Sequence, residues 1–442
     1  MTSPDVRGLN AMKVRAITVG GFRNVERTRF ELGGIVGLVS PNNYGKSNVL
    51  EAIDFGIDFI TASAKERRAM MSDPYCIPLV PSQQDDDYEF LIEVEDEALA
   101  DYRYIRYGYR FSWARDDGTG CRIVSETLEC SGKPKGLRTS YLKRGEGYRA
   151  RRKTRSFRRL RLDDDQLAVD VLTAIDDIEI APVVRGLRNL RFDVAASVDA
   201  SSRFRPSILE LKSEDGAPSF DAEDLAKQLY RLREEEPDLY ERFEDGVFSL
   251  FPEFEAFGVG AYDIAPEDRA RYEDAMAADE ELPFKVRDEF YRISVKSAYL
   301  NQPLGVSMMS SGTQRVIWLL ANTVIASGRL GDQLLAVEEI ETSIHPRMIH
   351  DLLELLNENL GSASLLVTSH SPYLVQYLRP ERLYIGAPNE TGTARFRRIA
   401  PHMTKEFSAA ARAHGMGDGE YLYSLMCSDQ DGAEALLSYL ED

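Results

Sequence analysis

The chain has 442 residues, with 54 lysines and arginines against 73 aspartates and glutamates, a formal net charge of −19. At 43% hydrophobic and 10% aromatic it can bury a sizeable core, which excludes a disordered chain. No apolar run approaches the roughly 18 residues that span a bilayer, the opening Met-Thr-Ser-Pro-Asp lacks a charged-then-apolar leader pattern, and the cysteines at 76, 121, 130 and 427 have no paired spacing. A soluble, cytoplasmic protein without membrane contact, disulfide framework or zinc knuckle is expected. Its acidity argues against nucleic acid bound all over the surface.

Val14 to Val19 and Arg27 to Leu32 have strand composition, broken by Gly34. Ile35 to Val39 is a short apolar strand, and apolar residues at three-to-four spacing predict a helix from Ser47 through Leu50, Ile53 and Phe55. Between them stands Ser40-Pro41-Asn42-Asn43-Tyr44-Gly45-Lys46-Ser47, then Asn48. This is the phosphate-loop spacing, with Ser40 in place of the first glycine. The chemistry needs these types. Loop N–H groups and the helix N-terminus face phosphate oxygens. Gly45 lets the backbone come close, Lys46 supplies a point charge, and the Ser47 hydroxyl can ligate Mg²⁺.

Residues 88–130 predict an antiparallel meander, in which Tyr102, Tyr104, Tyr109, Phe111 and Trp113 approximate a period of two before the turn Asp116-Asp117-Gly118. The charge then changes sharply. From Ser131 to Arg161 there are thirteen lysines and arginines and one acid, Glu146. Residues 133–161 could meet DNA phosphates or an acidic phage protein. Alternatively they pair with the chain's own acids, for example Arg151 to Arg161 with Glu234 to Glu236 of a neighbouring subunit. Residues 162–290 are acidic and helix-rich, without repeats or sustained heptads.

From Tyr291 strands and helices alternate, which argues for a mainly parallel, covered sheet. Ser310, Ser311 and Gly312 open a predicted helix, Arg315 to Ile325. A Ser-Ser-Gly turn there is either a second anion site or a plain serine N-cap. The strand Leu334 to Val337 ends in Glu338, suited to hold Mg²⁺, and Glu339, suited to polarise an attacking water. His370 follows the strand Leu365 to Thr368, where it could contact a γ-phosphate or order the water.

The ordered set of phosphate loop, Ser-Ser-Gly, Glu-Glu and histidine resembles the ABC-type ATPases of the SMC and RecF kind. The phrase Val337-Glu338-Glu339-Ile340-Glu341, followed by Ile344-His345-Pro346, is most like the OLD family of AAA-type ATPases. The resemblance implies an α/β fold: a P-loop ABC-ATPase core with a mixed sheet, an antiparallel β lobe and a largely helical insertion. The segments expected are an N-terminal lobe (1–145), a basic-then-acidic helical insertion (146–290), a C-terminal lobe (291–400) and a tail (401–442).

It further implies ATP and Mg²⁺ as cofactors, with Asn42, Asn43, Tyr44, Gly45, Lys46, Ser47 and Asn48 around the nucleotide. Ser47 and Glu338 would hold the metal. Lys46, Glu339 and His370 would be catalytic, Glu339 as base and His370 as switch. Ser310, Ser311 and Gly312 would contact the γ-phosphate on the opposite subunit of an ATP-sandwich dimer, from which higher oligomers can be built. Arg23 and Asn24 would line the adenine pocket, and Gln83 or Gln84 would stand for the glutamine loop.

Only 72 residues follow His370, too few for the TOPRIM nuclease that OLD proteins often carry; Asp429-Gln430-Asp431-Gly432 reads as an exposed turn. Nuclease-free relatives include the ATPase subunits of the two-gene PARIS and Septu antiphage systems. The function implied is a sensor or scaffold in antiphage defence that hydrolyses ATP and controls a separate effector such as a nuclease or toxin. The alternative is a RecF-like repair ATPase binding DNA ends or gaps.

Overall fold

The computed structural model describes residues 12–134, 136–175, 177–195, 203–204, 209–211, 224–276, 284–328, 333–387, 391–428 and 430–441. The chain divides into two units, residues 1–197 with 329–340 and 362–442, and residues 198–328 with 341–361.

The first unit holds two sheets. Its six-stranded sheet runs in the order Phe396–Arg397, Leu383–Gly386, Gly34–Val39, Ser364–Ser369, Leu334–Val337, Phe192–Ala195. All neighbours are parallel except the outermost pair, Leu383–Gly386 with Phe396–Arg397. Every residue of Leu334–Val337 and Ser364–Ser369 is buried, as strands covered on both faces require. Because the central strands are parallel, their carboxyl ends share one edge. Ser40, Glu338 and His370, each just past the end of a strand, are therefore delivered to that edge. Phe192–Ala195 joins this sheet from within the stretch expected as a helical insertion. Four residues with an aspartate in second place carry too little pattern to read as a strand.

The second sheet is antiparallel, in the order Thr28–Glu31, Met12–Gly20, Tyr88–Asp96, Tyr104–Ser112, Arg122–Ser131, Thr139–Lys143, Gly147–Tyr148. The expected meander is present and runs two short strands further. Its aromatic residues do not all share a face: Tyr107, Tyr109, Phe111 and Trp113 are buried, whereas Tyr104 points to the other side and Tyr102 lies in a 3₁₀ turn. The buried rings stack on the helix Lys46–Thr61, for example Phe59 on Phe111 with centroids 4.8 Å apart. That helix contributes Val49, Leu50, Ile53, Ile57 and Ile60 to the same core.

The segment expected as a tail forms three helices, Thr404–Ala413, Asp418–Cys427 and Gln430–Tyr439. Phe407, Leu422 and Leu436 bury them against Val39 and Ile385. Asp431 and Gly432 thus lie in a helix, not in the exposed turn expected, because the apolar Ala-Leu-Leu run after them continues the helical face; Asp429 lies outside the described residues.

The second unit combines helices Leu225–Glu235, Pro237–Leu250, Ser311–Ser327 and Pro346–Asn359 with an antiparallel sheet of Phe254–Asp263, Glu289–Ser297 and Leu304–Gly305. Its sheet shows that the acidic region is less purely helical than its composition suggests. Among the described residues no helix is long and apolar enough to cross a membrane.

Candidate functional site

The residues expected to grip phosphate lie between the strand Gly34–Val39 and the helix Lys46–Thr61. Gly45 caps that helix with φ 124°, a backbone conformation closed to most side chains. Asn43 also takes a left-handed φ, 59°, which asparagine tolerates. Ser40 does not need the conformational freedom of glycine, since its φ is not positive. The Lys46 ammonium is folded back over the loop, donating to Ser40 O at 2.9 Å and Pro41 O at 3.2 Å. Asn42, Asn43 and Ser47 are exposed beside it.

The Ser47 hydroxyl lies near the Glu338 carboxylate and favours its charged form. Burial pushes the Glu338 carboxyl above the usual carboxylate range, and the Ser47 hydroxyl opposes that shift; Glu339 and Glu51 add to it, and Lys46 opposes it. Hydroxyl and carboxylate together are hard oxygen donors of the kind that suits Mg²⁺. The next residue, Glu339, has φ 46°, an uncommon backbone for a non-glycine residue. Its N–H is held by Thr368 Oγ1 at 3.0 Å, and its half-exposed carboxylate stands 3.8 Å from His370 Nε2. The structure therefore brings Lys46, Ser47, Glu338, Glu339 and His370 to one strand edge.

Ser310, Ser311 and Gly312 belong to the second unit. Ser310 is the N-cap of Ser311–Ser327, its Oγ accepting from Thr313 N at 3.2 Å. The helix opens four residues earlier than the apolar pattern indicated, because this cap starts it. A β-carbon on Gly312 would lie 2.4 Å from Ser343 O, so only glycine fits there. Gln314 is buried and ties the turn down through Val306 O and Met309 O.

Residues 35–376 match the family described as "AAA domain, putative AbiEii toxin, Type IV TA system". The chain belongs to this AAA family. No curated protein matches it. Among solved structures it is similar to an SMC head bound to the C-winged helix domain of ScpA (14% identity, TM-score 0.49, covering 89% of this chain and 99% of that one). It is also similar to the SMC head domain from Thermotoga maritima (11%, TM-score 0.41, 88% and 99%). A third is the Smc head domain with an extended coiled coil bound to the C-terminal domain of ScpA, from Pyrococcus furiosus (13%, TM-score 0.49, 91% and 100%).

Around the phosphate loop of this AAA domain, Arg23, Asn24, Asn48 and Gln83 are tied into the fold by hydrogen bonds, while Asp54 had no signal in sequence. Arg23, with φ 48°, donates to Asn48 Oδ1 at 2.9 Å and to Tyr75 O at 2.8 Å, and pairs with Glu51 at 2.6 Å. Asn48 in turn donates to Asn24 Oδ1 at 2.8 Å. Gln83 is buried with its amide on Val25 O, while Gln84 is exposed. Asp54, on the loop's helix, is pushed up to about 7 by burial and then by Asp58, Asp193 and Glu51. No motif marks it, because the crowding acids come from separate segments.

The basic segment holds the two edge strands Thr139–Lys143 and Gly147–Tyr148 and then an irregular loop, 149–161, fastened to the second of them by a Tyr148–Arg158 bridge. Arg152 pairs with Asp101 at 2.6 Å and Arg151 with Asp177 at 3.3 Å, so part of it is neutralised by this chain's own acids. Arg149 lies over the Phe157 ring at 4.5 Å. Lys153, Arg155, Arg158, Arg159 and Arg161 are exposed.

Proposed function

We propose that this AAA domain binds and hydrolyses ATP. The observation that carries the reading is the convergence of Lys46 and Ser47 of the phosphate loop with Glu338, Glu339 and His370 at one strand edge. Lys46 would leave Ser40 O and Pro41 O to meet the β- and γ-phosphates, with loop N–H groups around them. Ser47 and Glu338 would hold Mg²⁺, which when bound neutralises charge developing on the phosphates. Glu339 would take a proton from the attacking water, and His370, 3.8 Å away, would orient that water or touch the γ-phosphate. Ser310, Ser311 and Gly312 of a second copy would close the site, making an ATP-sandwich dimer. The exposed helix start at Ser311 and the tight Gly312 turn support that surface as a phosphate contact. Isothermal titration with ATP, with and without Mg²⁺, tests the reading; absence of Mg²⁺-dependent affinity defeats it.

We further propose that the domain is a sensor or scaffold in antiphage defence, controlling a separate effector such as a nuclease or toxin. The family description, which names the AbiEii toxin, agrees with that setting. Copurification from the native host tests it: a stable nuclease or toxin partner supports the reading, and its absence together with repair proteins in its place does not.

The exposed cations Arg155, Arg158, Arg159 and Arg161 favour a second reading, a RecF-like ATPase on DNA ends or gaps. Duplex affinity falling steeply with salt, and lost on charge reversal at those four positions, would support it.

A further inference from the structure

The phosphate loop carries a large aromatic side chain, Tyr44, one residue before Gly45. Its hydroxyl donates to Arg395 O at 3.0 Å and accepts from Arg395 N at 3.2 Å, so it satisfies both polar groups of one residue 351 positions away. Its ring meets Phe396 edge-on, centroids 5.4 Å apart, and fills the space where a β-carbon on Gly386 would lie 2.3 Å from it. Burial pushes the phenol up from its ordinary value, so it keeps the proton it donates.

Two more links join the loop to the same strip. Asn24 Nδ2 donates to Tyr44 O at 3.0 Å and to Gly392 O at 3.3 Å, while Asn24 O accepts from Ala394 N at 2.7 Å. The Ala394 methyl occupies the space beside Gly45, 2.7 Å from where a β-carbon would stand. Residues 391–397 thus form the back wall of the loop. The strip then leads into the C-terminal helices by further backbone bonds, Ala400 N to Tyr439 O at 2.8 Å and Glu441 N to Arg398 O at 2.8 Å.

We propose that Tyr44 is a positioning residue that fixes the phosphate loop against the strip 391–397, so that phosphate binding at the loop orders this strip and the helices behind it. This rests on the ATP-binding reading. The physical reason is mechanical. Lys46 is held by carbonyls of the loop itself, so an arriving phosphate must pull it away and reset residues 41–44. Tyr44 then passes the change to Arg395 through two hydrogen bonds rather than through a mobile contact.

The test uses the full chain and two measurements. Hydrogen exchange with and without the non-hydrolysable analogue AMP-PNP and Mg²⁺ is read at the amides of 391–397. In the wild type, exchange there slows on nucleotide addition; in Tyr44→Phe, which keeps the ring, the slowing is lost. In steady-state turnover, Tyr44→Phe raises KM for ATP about threefold to tenfold, more than it lowers kcat, as loss of a buried hydrogen bond at a binding loop predicts. A wild-type chain that binds nucleotide while exchange at 391–397 stays unchanged overturns this proposal alone. A Tyr44→Phe chain with wild-type KM and wild-type protection does the same. A wild-type chain that binds no nucleotide overturns the ATP-binding reading and this proposal together.

Discussion

Nε2 of His370 lies 3.8 Å from Oε1 of Glu339, each residue one or two positions beyond a buried parallel strand. The pair is assembled by strand register, since Val337 sits opposite Val367 in the ladder, and both side chains remain open to solvent, where a water can reach them. Under the proposed hydrolysis, Glu339→Gln lowers kcat about 10²- to 10³-fold while ATP affinity changes little, because the amide keeps the shape and loses the base. His370→Ala lowers kcat about tenfold or more. Phosphate release and equilibrium binding, measured on the same samples, check both. Wild-type kcat in Glu339→Gln would remove the glutamate from the chemistry.

Binding and closure separate at a different residue. Lys46 has its ammonium within reach of the loop's carbonyl oxygens, so Lys46→Ala removes the cation that offsets phosphate charge. ATP affinity is expected to fall about tenfold to a hundredfold. Light scattering then distinguishes the dimer model. Glu339→Gln with ATP and Mg²⁺ should double in mass, Lys46→Ala should not, and Ser310→Arg should bind ATP yet stay single. A Glu339→Gln chain that binds ATP without any change in mass contradicts the sandwich.

Arg67 is fully buried and donates to Phe59 O at 2.7 Å and Ile60 O at 3.0 Å, the last carbonyls of the loop's helix, and also to Asp170. Arg188 shares the same carboxylate. Asp170→Ala strands a buried guanidinium. It should cost about 2–4 kcal/mol of stability, less than for a fully enclosed pair because Asp170 is 24% exposed. Arg67→Met with Asp170→Ala should cost less than the two single changes added, since neither charge is then left alone. Urea unfolding of the three variants measures both; strictly additive losses would mean the pair is not coupled.

The strand edge was legible in sequence because each of its parts sits on a strong local pattern: an apolar run, then a turn or charged cluster, then helical periodicity. Lys46, Ser47, Glu338, Glu339 and His370 each follow such a run. What sequence did not reveal was pairing between distant segments. Tyr44 meets Arg395, Arg67 meets Asp170, and Asp54 meets Asp193 across more than 100 residues. None of these has a periodic signal, since each partner is chosen by the way strands line up in space. Phe192–Ala195 was missed for a related reason: a four-residue strand derives its strandness from its neighbour Leu334–Val337, not from its own composition.

Asp54 gives the pH dependence a definite sign. Its carboxyl is pushed up to about 7 in the folded chain from the ordinary aspartate value of 3.8, through burial first and then Asp58, Asp193 and Glu51. Between those values the folded state binds more protons than the unfolded one, so unfolding releases a proton and stability falls as pH rises from about 4 to 7. Above that window the ionised carboxylate is a standing cost. Asp54→Asn removes it and should raise stability at pH 8 by about 2 kcal/mol, a figure reduced for the partial exposure of the group. At pH 3, where the carboxyl is neutral in both the folded and the unfolded chain, the same substitution should change little. Denaturant midpoints at the two pH values measure the difference. An Asp54→Asn chain equally stabilised at both would show that the gain comes from packing rather than from charge.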